Sequence, residues 1–289
     1  QAEDGIRDVE RSRGLGDVYK RQDIAGTKEV VSKMTRRRLL NYRKRQYVAE
    51  NTVVAVAGNF KEESAEKALR RHFSKLETGR PMKKPKVVEK QRSPNALVHF
   101  RRTDQSHLCL GVRAFNLFHP KRYAQEVSAV ILGGMMSSRL FQKIRTELGI
   151  AYYVNAVSES DPDTGTLFVQ AGLDNRNLEK GILAILDEYK RISQERVPSR
   201  ELKRAKEYIK GKTSLSLESS DAKASFYAAQ ELLQNRVLTP KEIFKKIDMI
   251  TQEDILELAS EIFKPEKLNL AIIGPFRDKE RFQKLLERL

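Results

Sequence analysis

Arg145 and Tyr152 lie seven residues apart in the stretch from Gly133 to Tyr153, and both side chains donate hydrogen bonds. The pair Gly133-Gly134 can end one helix, Ser137 or Ser138 can cap the next, and Gly149 supplies a left-handed residue that stops it before an aromatic strand. Arg145 then falls in the last helical turn and Tyr152 three residues past the glycine. The reversal can therefore present a guanidinium and a phenol near one surface. Taken alone, the pair also fits a cation complementing a helix C-terminus and a half-buried strand aromatic. His107, with Gln105 two residues before it, alternates outward in a strand and is exposed enough to touch a substrate strand or to sit as an ordinary sheet histidine.

Other chemistries are poorly provided for. Asp161, Asp163 and Asp174 are spaced as turn formers, without the regular ligands of a calcium loop. No glycine cluster follows a strand as a phosphate loop or a serine nucleophile elbow does. The single cysteine, Cys109, excludes an intrachain disulfide and a cysteine metal cluster. Lysine and arginine number 55 against 39 acidic residues, a net charge of +16. That surplus is scattered over solvated helix faces such as Arg36 to Arg38 and Lys203 to Lys212, with no aromatic stacking pattern, so no nucleic-acid partner is expected. No apolar run approaches the roughly 18 residues of a membrane span. The absence of disulfides points to the cytoplasm, with the periplasm as the alternative.

The elements that would position these side chains follow from periodicity. Two helices are expected from Lys28 to Tyr47, the second capped by Thr35, then a buried strand over Thr52–Ala57 closed by Gly58, and a helix over Glu63–Phe73. This unit occurs twice, because Met34-Thr35 through Gly58 to Phe60 matches Ile250-Thr251 through Gly274 to Phe276 at a constant offset of 216 residues. Thr251 with Asp254 forms a capping box, Leu268–Ile273 repeats the strand, and Arg281–Leu289 repeats the closing helix. Between the copies, strands over Ala96–Arg101 and His107–Phe115, a helix over Tyr123–Leu132 and a hairpin of Tyr152–Val157 with Thr166–Ala171 are expected. Helices follow over Leu178–Ile192, Ser199–Leu217, Ala222–Leu233, Lys241–Met249 and Glu253–Phe263. The pattern predicts an α+β fold, mostly antiparallel, with helices on one face of the sheet. Residues 1–22 lack either apolar period and read as a non-native or disordered segment, 23–76 as the tail of a truncated first half whose beginning lies upstream, 77–94 as a linker, and 95–289 as a complete second half.

Together these features resemble the zinc metallopeptidases of the pitrilysin (M16, insulinase-like) family, most closely the bacterial processing-protease branch related to mitochondrial processing peptidase. The resemblance covers about Asp23 to Leu289 and rests on Leu132 through Phe141, on Arg145 to Tyr152, on Asp163-Thr164-Gly165, on Gln105-Ser106-His107 and on the strand-glycine signatures at Gly58 and Gly274. It implies a duplicated domain of the mitochondrial processing peptidase type. A His-x-x-Glu-His helix in the first half and a downstream glutamate would hold zinc and activate its water. None of His72, His99, His107 and His119 has a second histidine at that spacing, so the resemblance puts the zinc site upstream of Asp23 and leaves this chain to bind none. It assigns Arg145 and Tyr152 to steadying substrate and the developing oxyanion, with His107 and Gln105 as substrate contacts.

The implied function is a fragment of a proteolytic metalloendopeptidase, a hydrolase acting on extended peptides or presequences. It would be inactive alone and would need the missing N-terminal half or a partner subunit. The resemblance also allows a dimer. The alternative is a non-catalytic structural or partner subunit of the same fold.

Overall fold

A computed structural model describes residues 26–287. The expectation for residues 1–22 lies outside the described residues. The chain forms two compact units, one of residues 87–210 and 244–287, the other of residues 26–86 and 211–243.

The first unit is built on five strands, β1 (Asn95–Phe100), β2 (Gln105–Ala114), β3 (Ala151–Ser160), β4 (Gly165–Asp174) and β5 (Leu268–Gly274), in the order β1-β5-β2-β4-β3. The β1/β5 pair is parallel and the other three pairs are antiparallel, so the sheet is mixed and mostly antiparallel. Strand alternation gives it one apolar face. Ala96, Leu270, Leu110, Val169 and Ala156 face one another across all five strands, and each is buried. The neighbouring row, Leu97, Ala271, Cys109, Gln170 and Asn155, points the opposite way and carries exposed Leu97 and Asn155 at its two ends.

Helices cover the apolar face. Among the described residues the α-helices are, in chain order, α1 (Lys28–Ser32), α2 (Arg36–Gln46), α3 (Glu62–Phe73), α4 (Arg122–Ala129), α5 (Leu178–Gln194), α6 (Ser199–Ser216), α7 (Ser220–Gln234), α8 (Pro240–Asp248), α9 (Gln252–Ile262) and α10 (Lys279–Leu286). Tyr189 of α5 is fully buried, donates from its hydroxyl to Leu110 O at 2.7 Å and stacks on Phe263 just past α9, with ring centroids 4.2 Å apart. Gln283 of α10 clips β1 in place, accepting from Ala96 N and donating to Pro94 O. No helix among the described residues is long and apolar enough to cross a membrane.

The internal repeat is present in the backbone of a helix and the turn that follows it. Helix α2 spans Arg36–Gln46 and α9 spans Gln252–Ile262, so both ends differ by 216; the 3-10 turns Ala49–Asn51 and Pro265–Lys267 differ by the same amount. Thr35 and Thr251 both cap, accepting from Arg38 N and Asp254 N. Only Thr251 has an acidic residue at the third helical position, and Asp254 accepts in return from the Thr251 amide at 2.7 Å. Thr251→Ala should therefore lower stability by about 1 kcal/mol in denaturant unfolding, within the range for lost N-caps. Thr35→Ala, in a helix with no buried residue, should cost less.

One expected element differs. Residues 52–57, which correspond to β5, are not a buried strand: they form no ladder, and their side chains alternate between exposed and half-buried. A strand exists through its hydrogen-bonded neighbours. β5 has β1 on one side and β2 on the other, whereas residues 52–57 have no paired strand among the described residues.

Candidate functional site

The approach to Arg145 is irregular helix. Helix α4 runs on into a π-helical segment, Val130–Gly134, and Phe141–Glu147 is a second one. Such i→i+5 segments are rare and gather at functional sites. Gly133 is needed because β3 passes close by: a Cβ there would stand 2.4 Å from Ala156 N. Neither expected serine cap forms. Ser138 accepts from Gln142 N through its backbone carbonyl, while its hydroxyl is turned into the protein, 1% exposed, and has no hydrogen-bond partner among the described residues.

Gly149 ends the segment at φ +65°, with nothing within 4 Å of where a Cβ would stand, so it serves conformation and not space. Arg145 lies in the last turn before it, exposed, its guanidinium 5.1 Å from the Phe141 ring centroid. Past it, the β3/β4 register shifts between Ala151 and Tyr153, leaving Tyr152 as the extra residue of a bulge. Bulges re-aim side chains. Tyr152 is 59% exposed. Neither side chain hydrogen-bonds to another described residue, so the donors of both are open to a ligand.

Beside this bulge, a row across the open face runs His99, Ile273, His107, Gly172 and Tyr153. The Tyr153 ring lies against Gly172, since a Cβ on Gly172 would be 2.5 Å from Tyr153 Cε1, and it reaches across β4 to put its hydroxyl 3.1 Å from His107 Nδ1. Gln105 Oε1 is 3.4 Å from the same Cβ position. The structure thus joins the expected Gln105 and His107 to two residues the sequence did not single out, Tyr153 and Gly172. A glycine inside an alternating strand is the signal that marks such a close approach.

Burial, and secondarily the positive charge of Arg101, hold the His107 pKa below its ordinary value of 6.5. The ring is accordingly neutral at pH 7. Because the unfolded chain takes up this proton first, stability present above pH 6.5 is lost as the pH falls through the lower folded value. Melting temperatures at pH 7.5 and 5.5 should differ less in His107→Gln than in the parent chain.

Among the described residues no group of three or more His, Cys, Asp or Glu side chains is placed to hold a metal ion. These residues do not fit a zinc centre.

The unit is thus an α+β domain whose sheet has one helix-covered face and one open face bordered by an exposed arginine and an exposed tyrosine. Residues 33–209 match the family described as Peptidase M16 inactive domain, and the chain belongs to the M16 peptidase family. The uncharacterized zinc protease YmxG of Bacillus subtilis is 32% identical over 257 residues, covering 87% of this chain and 61% of the relative. Across several curated zinc proteases the chain spans 61–66% of the relative's length. A protease from Helicobacter pylori superposes with a TM-score of 0.81 at 20% identity, over 92% of this chain and 65% of the other. The peptidase M16 inactive domain from Pseudomonas fluorescens gives a TM-score of 0.83 at 17% identity, over 95% and 66%.

Proposed function

We propose that this chain is the substrate-clamping part of a zinc metalloendopeptidase of the processing-protease type, acting on extended peptides or presequences. Residues 23–76 are the tail of the zinc-bearing half, 77–94 a linker and 95–289 the clamping half. The repeat at offset 216 supports that division: β5 is an inner strand, and residues 52–57 carry its apolar pattern without a paired strand among the described residues. The observation that carries the reading is the exposure of Arg145 and Tyr152, both without side-chain hydrogen bonds among the described residues, at the Gly149 reversal. A guanidinium and a phenol held on a turn and a bulge can orient a peptide carbonyl and stabilise its oxygen as charge develops there. His107 and Gln105 would meet the extended peptide along the open face.

Zinc belongs to the other half. The present chain binds and orients the substrate but does not hydrolyse it. The description of the matched family as an inactive domain favours the same conclusion and keeps a second reading in view, a non-catalytic partner subunit. The test is titration of the purified chain with a labelled extended peptide. Binding without cleavage, weakened in Arg145→Ala and Tyr152→Phe, is the expected result. Peptidase activity with stoichiometric zinc in this chain alone would overturn the proposal, and peptide binding indifferent to both substitutions would leave the partner-subunit reading.

A further inference from the structure

The hydrogen bond between Tyr153 and His107 can run in either direction, and its direction decides what His107 offers to a ligand. A neutral imidazole carries its proton on one nitrogen and accepts on the other, so the partner of Nδ1 fixes the chemistry of Nε2. His107 Nε2 has no hydrogen-bond partner among the described residues, and it is not one of their buried, unpartnered side-chain atoms. It is therefore open to solvent.

Both partners are held in place. His107 sits on β2 opposite Gly172 of β4 and Ile273 of β5. The Tyr153 ring fits only because Gly172 has no side chain, since a Cβ there would stand 2.5 Å from Tyr153 Cε1 and 2.9 Å from Cδ1. The two ring centroids are 6.0 Å apart, the planes 26° from parallel, and the tyrosine oxygen 3.1 Å from Nδ1. The other charged or titratable groups around the pair are His99 at the far end of its row, Arg101 just past β1, and Asp174, which accepts from Arg176 N and Nη2. Burial and the positive charge of Arg101 keep the ring neutral, so one ring nitrogen must accept. Between the two partners the phenol is the better proton donor and the imidazole nitrogen the better acceptor.

We infer that Tyr153 is a positioning residue of the peptide-binding face: its hydroxyl donates to His107 Nδ1, which puts the ring proton on Nε2, where it donates to a backbone carbonyl oxygen of the bound peptide. This rests on the clamping function proposed above and assigns His107 its part in it. A donor suits that part, because an extended peptide presents carbonyl oxygens at regular spacing along the face. The donor also survives acid. A second proton on His107 goes to Nδ1, the tyrosine hydroxyl turns to accept it, and Nε2 goes on donating.

The test is nitrogen NMR of the imidazole signals, with His107 assigned by its loss in His107→Gln, alongside titration with a labelled extended peptide. At pH 7.5 the proton should be on Nε2. Tyr153→Phe keeps the ring against Gly172 and removes only the hydroxyl, so the fold should be unchanged. Because the lost bond is one to the neutral form, the His107 pKa should rise, and the peptide should bind about three- to tenfold more weakly. Gly172→Ala displaces the same ring by another route and should raise that pKa as well. His107→Gln, whose amide can donate in place of Nε2, should keep more peptide affinity than His107→Ala. A proton on Nδ1, a His107 pKa that falls in Tyr153→Phe, or peptide affinity indifferent to Tyr153→Phe would overturn the assignment. Indifference to Tyr153→Phe with binding still weakened in Arg145→Ala and Tyr152→Phe would remove Tyr153 alone and leave the clamp; indifference to all three would remove both.

Discussion

On the function proposed above, Arg145→Ala, made in the chain joined to the zinc-bearing half proposed for it, is expected to lower kcat/KM by about 10²- to 10³-fold, or roughly 2.7–4 kcal/mol of transition-state stabilisation. Arg145 is exposed and its one described contact is the Phe141 ring, so thermal stability should stay within about 0.5 kcal/mol of the parent. Tyr152→Phe removes only the hydroxyl and keeps the ring. A loss confined to kcat would place the donor on the developing oxyanion, and a rise in KM alone would place it on the bound peptide backbone. Unchanged turnover and peptide affinity in both variants, with folding intact, would refute the assignment of these two residues.

A large effect on stability is expected from Gly133→Ala. A methyl group there would stand 2.4 Å from Ala156 N, 2.9 Å from Ala156 Cβ and 3.0 Å from Asn155 C. Those are mostly backbone atoms of β3, a strand tied along its length to β4, so the neighbour cannot rotate out of the way. The cost should reach about 3 kcal/mol or more, the upper end for overpacked interiors. Gly149→Ala is the informative control. Its Cβ would meet nothing within 4 Å, and only the left-handed backbone at φ +65° opposes it, so roughly 1–2 kcal/mol is expected. Chemical denaturation of the two variants separates the steric from the conformational penalty. Equal losses would mean that β3 yields to the added methyl.

Much of this was legible in the residues because it is local. The caps at Thr35 and Thr251, the helical stop at Gly149 and the alternation in β2 and β4 depend on neighbours within a turn or two, and each stands within three residues of its expected place. The offset of 216 was legible for a different reason: two stretches that fold alike kept enough of the same side chains to be aligned. Arg145 and Tyr152 were visible as a pair because one glycine separates the elements that bear them.

What the chain could not announce by itself depends on distant partners. Residues 52–57 carry the apolar pattern of β5, but a strand needs a ladder, and pattern alone does not supply one. Ser138 has the chemistry of a cap, yet packing buries its hydroxyl without a hydrogen-bond partner among the described residues. Tyr153 became part of the open face only because β4 placed Gly172 beneath its ring and β2 placed His107 beyond it, residues 19 and 46 positions away in the chain. Side-chain type and spacing determined which helices and strands form and which donors flank the turn. Strand pairing, a bulge and close backbone contacts decided where those donors point, because these are set by residues far apart in sequence that meet only in the folded sheet.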